Sequence, residues 1–381
     1  MEIYIGYNKK RITFVSEYEI TSDCSILKYN TEVPFKSLIE NYEIRRGDLM
    51  EKNKYTTENL RIAFVSVYGI NCGISTYAEA LFPKIGSKVK EYKIFAEYAD
   101  LPEEPNVVRC WKRGESLVKL ADEIHSYQPD IVILNHEYGL MPIASHWLAF
   151  ISEMQQYKTY TILHSIYHHK DKLICEAGLQ NIIVHTETAK KVLVYEKKVI
   201  GTVNVIPHFC LPCEDSSKYW NLYQTPHTLL QAGFGFKYKG WHFALEAVAK
   251  LKEKYHDIFY TGIFSESLFS KNAQDDYFEE LSQQIKKLGI RENVAILRGY
   301  QSEEVLDAFL RTNQIAIFPY QLDPEHINYG VSGAARLAMR TGIPTIVSSA
   351  SLFDDLNNVS PRPNTVEELT KEIIKLFESK E

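Results

Sequence analysis

No run of about 18 uncharged apolar residues occurs in the 381-residue sequence, so a membrane-spanning helix is not expected. The first ten residues lack the basic-then-apolar layout of a signal peptide, which makes the cytoplasm the expected compartment. Cysteine is scarce, with six residues at 24, 72, 110, 175, 210 and 213. Only Cys210-Leu-Pro-Cys213 is close-spaced, with His208 two residues upstream. A second ligand pair with zinc spacing is missing, as is a thioredoxin-like context, so buried or loop thiols are favoured over a metal or disulfide site. There is no basic excess: 43 Lys and Arg against 49 Asp and Glu give a formal charge of −6. That disfavours a surface built to grip nucleic acid throughout, and leaves a local basic groove open. What is present is an ordinary mixture for a globular chain, 45% apolar and 24% charged, long enough for two or three domains.

Residues 1–60 read as a small β-rich extension with strand-like pieces at 2–6 and 12–16, then a polar linker. From Arg61 the rhythm changes. Arg61-Ile-Ala-Phe-Val-Ser-Val67 is a continuous apolar strand, followed by a glycine-containing loop and an amphipathic helix at 75–84. Further strands are predicted at 92–95, 131–134, 160–163, 182–184 and 203–206, separated by helices at 117–125, 143–155 and 189–196. The alternation restarts after an aperiodic stretch at 207–224, with strands at 228–233, 258–263, 294–297, 315–318 and 345–347. Helices there fit 243–255, 276–288, 303–310, 333–340 and 366–377. Short buried strands alternating with helices predict an α/β chain of two Rossmann-like, doubly wound domains, 61–210 and 211–381, facing a cleft. The last helix is a candidate to pack back on the first domain.

The commonest ligand motifs of such folds fail on their own spacing. Gly233-Phe-Gly235 would need glycine at 238, which is Tyr238, and Gly235 to Gly240 is followed by Trp241 where a phosphate loop needs lysine. Three other strand-end loops carry chemistry. Tyr68-Gly-Ile-Asn-Cys-Gly-Ile-Ser-Thr76 brings bare amides and a helix start together, and is also compatible with a plain strand-to-helix turn. Gly233-Phe-Gly-Phe-Lys-Tyr-Lys-Gly240 places Lys237 and Lys239 between glycines, which suits a diphosphate or an exposed basic turn. Asn328-Tyr-Gly-Val-Ser-Gly-Ala-Ala-Arg336 opens a helix with Ser332 as N-cap, the arrangement that binds phosphate through backbone N–H groups. Together the last two loops make a coherent pyrophosphate site.

Six motifs in order then resemble one family: Cys72-Gly-Ile-Ser-Thr-Tyr-Ala-Glu-Ala-Leu81, Asn135-His-Glu-Tyr-Gly139, Thr161-Ile-Leu-His164, Val205-Ile-Pro-His208, Lys239-Gly240, and Ser332-Gly-Ala-Ala-Arg-Leu-Ala-Met-Arg-Thr-Gly-Ile-Pro344. The chain resembles GT-B fold glycosyltransferases of family 4, in their mannosyltransferase-like branch, over most of its length beyond residue 60. The resemblance implies that the second domain holds a nucleotide sugar and the first offers the acceptor. It makes Lys239 the diphosphate lysine, with Lys237 as a substitute for an arginine that falls on Phe234. It makes His164 the histidine beside the donor sugar, Gly73 the glycine beside the phosphates, and Arg298-Gly299-Tyr300 the turn that contacts the base with backbone atoms. Tyr329, Gly330, Val331, Ser332 and Gly333 complete the donor loop, and His136, Glu137 and Tyr138 are the acceptor-side candidates.

The family's paired glutamates, eight positions apart, fall on Tyr329 and Leu337. Asp323 and Glu325 are candidates for a displaced carboxylate, although solvated loop acids are the commoner explanation. His168 and His169 with His164 lack a third metal ligand, so a polar cleft lining is preferred. The expected activity is transfer of a hexose or similar sugar from a UDP- or GDP-linked donor to a hydroxyl of a glycan or lipid-linked acceptor, with retention, no metal and no cofactor. Two alternatives stay open: a non-catalytic nucleotide-sugar-binding protein, and a glycosyltransferase acting on modified bases in DNA, for which Lys190, Lys191, Lys197 and Lys198 are the basic cluster. Peripheral membrane contact also stays open.

Overall fold

The structure is a computed structural model that describes residues 59–167, 174, 176–209, 222, 224–266, 271–321, 327–356 and 361–379, with the backbone of 2–3 and 12–13. In the N-terminal extension, β1 (Glu2–Ile3) pairs antiparallel with β2 (Ile12–Thr13). The rest is two parallel sheets.

The first sheet has seven strands: β3 (Arg61–Ser66), β4 (Glu91–Glu97), β5 (Val107–Trp111), β6 (Ile131–His136), β7 (Lys158–Leu163), β8 (Asn181–Val184) and β9 (Thr202–Val205). Their spatial order is β5-β4-β3-β6-β7-β8-β9, every neighbour parallel. Apolar clusters cover both faces. Phe64, Ile94, Ile133 and Ile162 pack toward Leu81 and Phe82 on one side; Val65, Val132, Leu134 and Ile182 pack toward Ile124, Trp147 and Phe150 on the other. Burial on both faces is what makes these strands continuous apolar runs. Strand β5 is an addition to the strands expected from the sequence. It is an edge strand interrupted by Arg109, whose guanidinium donates to the Tyr68 and Glu97 carbonyls at 3.2 and 3.1 Å.

The second sheet has five strands: β10 (Thr228–Phe234), β11 (Phe259–Ser265), β12 (Val294–Arg298), β13 (Ile315–Phe318) and β14 (Thr345–Val347), in the order β12-β11-β10-β13-β14 and again all parallel. In both sheets the order reverses beside the first strand, at β3/β6 and at β10/β13. Crevices at the carboxyl ends of such switch points are where open α/β sheets take ligands. The two Rossmann-like halves constitute the GT-B arrangement.

The helices are α1 (Gly73–Gly86), α2 (Val118–Tyr127), α3 (Ala144–Met154), α4 (Glu187–Lys191), α5 (Trp241–Lys252), α6 (Lys271–Leu288), α7 (Glu303–Thr312), α8 (Gly333–Arg340) and α9 (Val366–Glu378). Helix α4 continues as a π-helical turn at Val192–Glu196, so the single helix expected at 189–196 is really two geometries. The last helix departs from expectation. Helix α9 starts on a capping box between Thr365 and Glu368 and buries Val366, Leu369, Ile373 and Phe377 in the same cluster as Trp241, Leu245 and Val248 of α5. Its apolar stripe is therefore spent inside the second domain and does not return to the first. Among the described residues, no helix is long and apolar enough to cross a membrane.

Candidate functional site

Strand β10 ends at the switch point and its loop folds into a tight 3₁₀ turn, Lys237–Lys239, closed by Gly240 at φ +71°. A β-carbon on Gly240 would lie 1.9 Å from the Pro319 carbonyl oxygen, so the turn presses directly on the segment after β13. Gln231 in β10 donates to the Lys239 carbonyl at 2.9 Å and accepts from the Tyr260 hydroxyl at 3.0 Å, which fixes the turn from below.

The turn separates the two lysines that the sequence groups together. Lys237 points outward and pairs with Glu280 at 3.2 Å, its side chain 71% exposed. Lys239 is buried: Nζ donates to the Tyr320 hydroxyl at 2.7 Å and lies 4.0 Å from the Tyr320 ring and 5.1 Å from the Tyr238 ring. Burial lowers its pKa, partly offset by the Tyr238 hydroxyl. Among the described residues, no carboxylate pairs with it.

The Tyr320 hydroxyl also meets Ser332 Oγ at 2.9 Å, and Ser332 Oγ accepts from the Ala335 N–H at 3.3 Å as the N-cap of α8. A hydrogen-bond chain thus runs from the Lys239 ammonium through a phenol to a helix start. Gly333 opens that helix, and a β-carbon placed there would meet nothing within 4 Å. The ammonium and the positive end of α8 thus meet at the Tyr320 hydroxyl.

His164 follows β7 and is 7% exposed. Its Nε2 bonds Asn135 Oδ1, while Asn135 Nδ2 donates to Ser66 Oγ at 3.0 Å. The amide orientation makes Nε2 the protonated nitrogen and leaves a lone pair on Nδ1. The sequence reading misses the company it keeps. His185 after β8 and His208 after β9 lie with ring centroids 5.3 and 6.5 Å from His164, and Tyr77 of α1 stands against all three at 4.6, 5.6 and 5.0 Å. A signal for this exists: each histidine follows one of three successive parallel strands, whose ends a sheet places side by side. Burial holds all three neutral, His185 down at about 4, and Arg336 of α8 pushes His185 and His208 in the same direction. Among the described residues, no group of three or more His, Cys, Asp or Glu is arranged to hold a metal ion.

Other candidates separate. Arg298 ends β12 at the sheet edge, pairs with both Glu266 and Asp275, and stacks 4.5 Å over Phe278, so its guanidinium is neutralised and only its backbone is left for a ligand. Gly299 follows at φ +99° and donates to the Phe264 carbonyl at 3.0 Å, with Tyr300 next in the loop. Gly73 begins α1, and a β-carbon placed there would meet nothing within 4 Å. His136 is 1% exposed, and neither ring nitrogen has a hydrogen-bond partner; the ring packs 4.6 Å from Trp147 and 5.2 Å from Tyr138. Burial lowers its pKa to about 3. Glu137 turns back to accept from the Tyr138 N–H at 3.0 Å. Val331 is half-buried beside Gly330, and Tyr329 donates its N–H to the Ile166 carbonyl at 3.0 Å. Asp323, Glu325, His168, His169, Cys210 and Cys213 lie outside the described residues.

Residues 214–381 match the family model described as glycosyl transferases group 1. A search of curated proteins finds no match. Among solved structures, the chain is similar to sucrose-phosphate synthase from Thermosynechococcus elongatus, at 15% identity and TM-score 0.62 over 84% of this chain and 90% of that one. A glycosyltransferase from Rickettsia africae aligns at 16% identity and TM-score 0.61, covering 84% and 88%. Anabaena HepE, solved with UDP and glucose, aligns at 14% identity and TM-score 0.60, covering 84% and 91%.

Proposed function

We propose that this chain is a glycosyltransferase that takes a sugar from a nucleotide-diphosphate donor and passes it to a hydroxyl acceptor. The observation that carries the reading is Lys239: a buried ammonium without a described counter-ion, tied through Tyr320 to the capped start of α8, at the switch point of the second sheet. A site that has collected positive charge without an acid lacks an anion, and a diphosphate fits. The family match of this domain and the UDP held by Anabaena HepE support the same class of donor.

When the sugar leaves, negative charge grows on the departing diphosphate, which Lys239 and the α8 amides are placed to stabilise. His164, neutral and held by Asn135, offers its Nδ1 lone pair to a donor-sugar hydroxyl from the opposite domain. Closure of the two domains would exclude water as a competing acceptor. Following the resemblance, we propose retention of anomeric configuration, no metal requirement and the mannosyltransferase-like branch. A glycan or lipid-linked saccharide is the proposed acceptor class. The test is a thermal-shift panel of UDP, GDP, ADP and TDP with their common sugars, on wild type and Lys239→Ala. A nucleotide-selective rise that the variant loses supports the site; no rise with any of them refutes it.

A second reading, a nucleotide-sugar-binding protein without transferase activity, is favoured by Leu337 and Tyr329 at the glutamate positions. It predicts donor binding with neither transfer nor donor hydrolysis.

A further inference from the structure

The segment after His164 and the segment before Ser332 come from different domains and dock as a two-residue piece of sheet. Tyr167 and Asn328 form an antiparallel bridge, and the Tyr329 N–H donates to the Ile166 carbonyl at 3.0 Å. The side chain of Asn328 joins both strands. Its Oδ1 accepts from the Ile166 N–H at 3.3 Å and from the Gly330 N–H at 2.8 Å, while Nδ2 donates to Ser165 Oγ at 3.1 Å. Its own carbonyl accepts from Ser351 Oγ at 2.7 Å, which ties the clasp to the loop after β14. Gly330 fits because a β-carbon there would lie 2.2 Å from the His164 carbonyl oxygen. A shorter side chain could not span the two strands, and an apolar one would leave two N–H groups and a hydroxyl without their partner.

Ser165 is the residue after His164, and Gly330 lies two residues before the α8 cap. We propose that Asn328 is a positioning residue: it sets the register between His164 in the first domain and the α8 N-terminus in the second, so that donor sugar and donor diphosphate are held at one spacing. The proposal rests on the nucleotide-sugar reading of the site. The charged and dipolar diphosphate contacts, Lys239 and the α8 amides, lie within the second domain, with only the Gly73 backbone reaching from the first, whereas the sugar contact from His164 crosses the interface. Loss of the clasp therefore costs selectivity for the sugar-bearing nucleotide and spares affinity for the bare diphosphate.

The test compares wild type, Asn328→Ala and Asn328→Asp. The carboxylate keeps both N–H groups satisfied, and Ser165 can reverse its role and donate to it. Affinities for UDP, UDP-glucose, GDP and GDP-mannose are measured by calorimetry, with hydrogen exchange at the Ile166 and Tyr329 amides. Asn328→Ala should speed exchange at both amides at least tenfold and lower the preference for the nucleotide sugar over its diphosphate at least fivefold. Its diphosphate affinity should stay within twofold, and Asn328→Asp should restore most of the preference. Unchanged exchange, an unchanged preference, or parallel loss of diphosphate and nucleotide-sugar binding would each overturn the positioning role. A wild type without preference for the sugar-bearing form does the same. A wild type that binds none of the four overturns the donor-site reading itself, and the positioning role goes with it.

Discussion

Replacing Lys239 by Met separates a ligand-binding lysine from a structural one, because the two roles predict opposite signs for stability. The side chain is 8% exposed, its ammonium 2.7 Å from the Tyr320 hydroxyl and 4.0 Å from the ring centroid. A charge-assisted hydrogen bond contributes about 1.5–3 kcal/mol and a desolvated cation–π contact about 0.5–2 kcal/mol. Against both stands the desolvation of an unpaired ion, still several kcal/mol after relaxation. Methionine fills a similar volume without charge. The unliganded variant should therefore be as stable as wild type or more stable by up to about 2 kcal/mol. The sign can be checked by pH. Burial lowers the folded-state pKa below 10.5, so between the two values the unfolded chain binds more protons and stability rises with pH. The wild type's deficit relative to the variant should then shrink as pH climbs toward 10.5. Donor binding moves the other way: a tenfold loss is about 1.4 kcal/mol, roughly 3–6 °C less ligand-induced shift for a domain of this size. Differential scanning fluorimetry at pH 7 and 9.5, with and without nucleotide sugar, measures all of it. A variant that melts several degrees early and keeps its full ligand shift would refute the reasoning.

Three further perturbations test the frame around the site. Arg340 and Asp307 form a buried pair at 2.6 Å with side chains 3% and 1% exposed, so Arg340→Leu should cost about 3–5 kcal/mol in urea unfolding. Adding Asp307→Leu should recover much of that, and no recovery would rule out an uncompensated charge as the cause. Gly240→Ala combines positive φ with a β-carbon 1.9 Å from the Pro319 carbonyl; it should destabilise by more than about 1 kcal/mol and weaken donor binding by displacing Lys239. Wild-type-like melting and binding together would contradict that. His136 has a folded pKa near 3 against 6.5 unfolded, so the unfolded state binds more protons in between and stability falls as pH drops below 6.5. His136→Phe loses no hydrogen bond and should flatten the stability profile between pH 6.5 and 4.5; an equally steep profile would show that other groups carry the acid loss.

How much of the molecule is legible in the sequence follows from how local each feature is. Ile315–Phe318 and Thr345–Val347 are readable to the residue because a strand buried on both faces cannot hide its composition. Gly333–Arg340 is equally plain, since a serine cap before small residues marks a helix start. Val107–Trp111 escapes because an edge strand tolerates Arg109. The two lysines show a different limit. Positions 237 and 239 are identical in sequence terms, and only the sense of a 3₁₀ turn sends one to Glu280 and the other to Tyr320. The pairing of Arg298 is hidden for the same reason: its neutralising acids, Glu266 and Asp275, stand 32 and 23 positions away, and only the fold brings them together.

The positions where the family pattern expects glutamates are also structurally occupied. Tyr329 spends its N–H on the clasp, and Leu337 packs against the apolar cluster of Leu306, Phe318 and Ala335. Arg336, the residue before Leu337, is balanced by Asp355 and so adds little net charge to the site. What remains beside the α8 start is Lys239 and the helix's own positive end, with no described acid paired to Lys239. Such a field favours a doubly or triply charged diphosphate and gives no direct support to a developing sugar cation. In the proposed site the two contributions are thus divided between the domains: the second would supply Lys239 and the α8 start, and the first the neutral His164 and the Gly73 backbone, with Asn328 holding the register. Donor affinity should accordingly survive damage to the first domain that abolishes sugar selectivity, whereas damage at Lys239 should remove both.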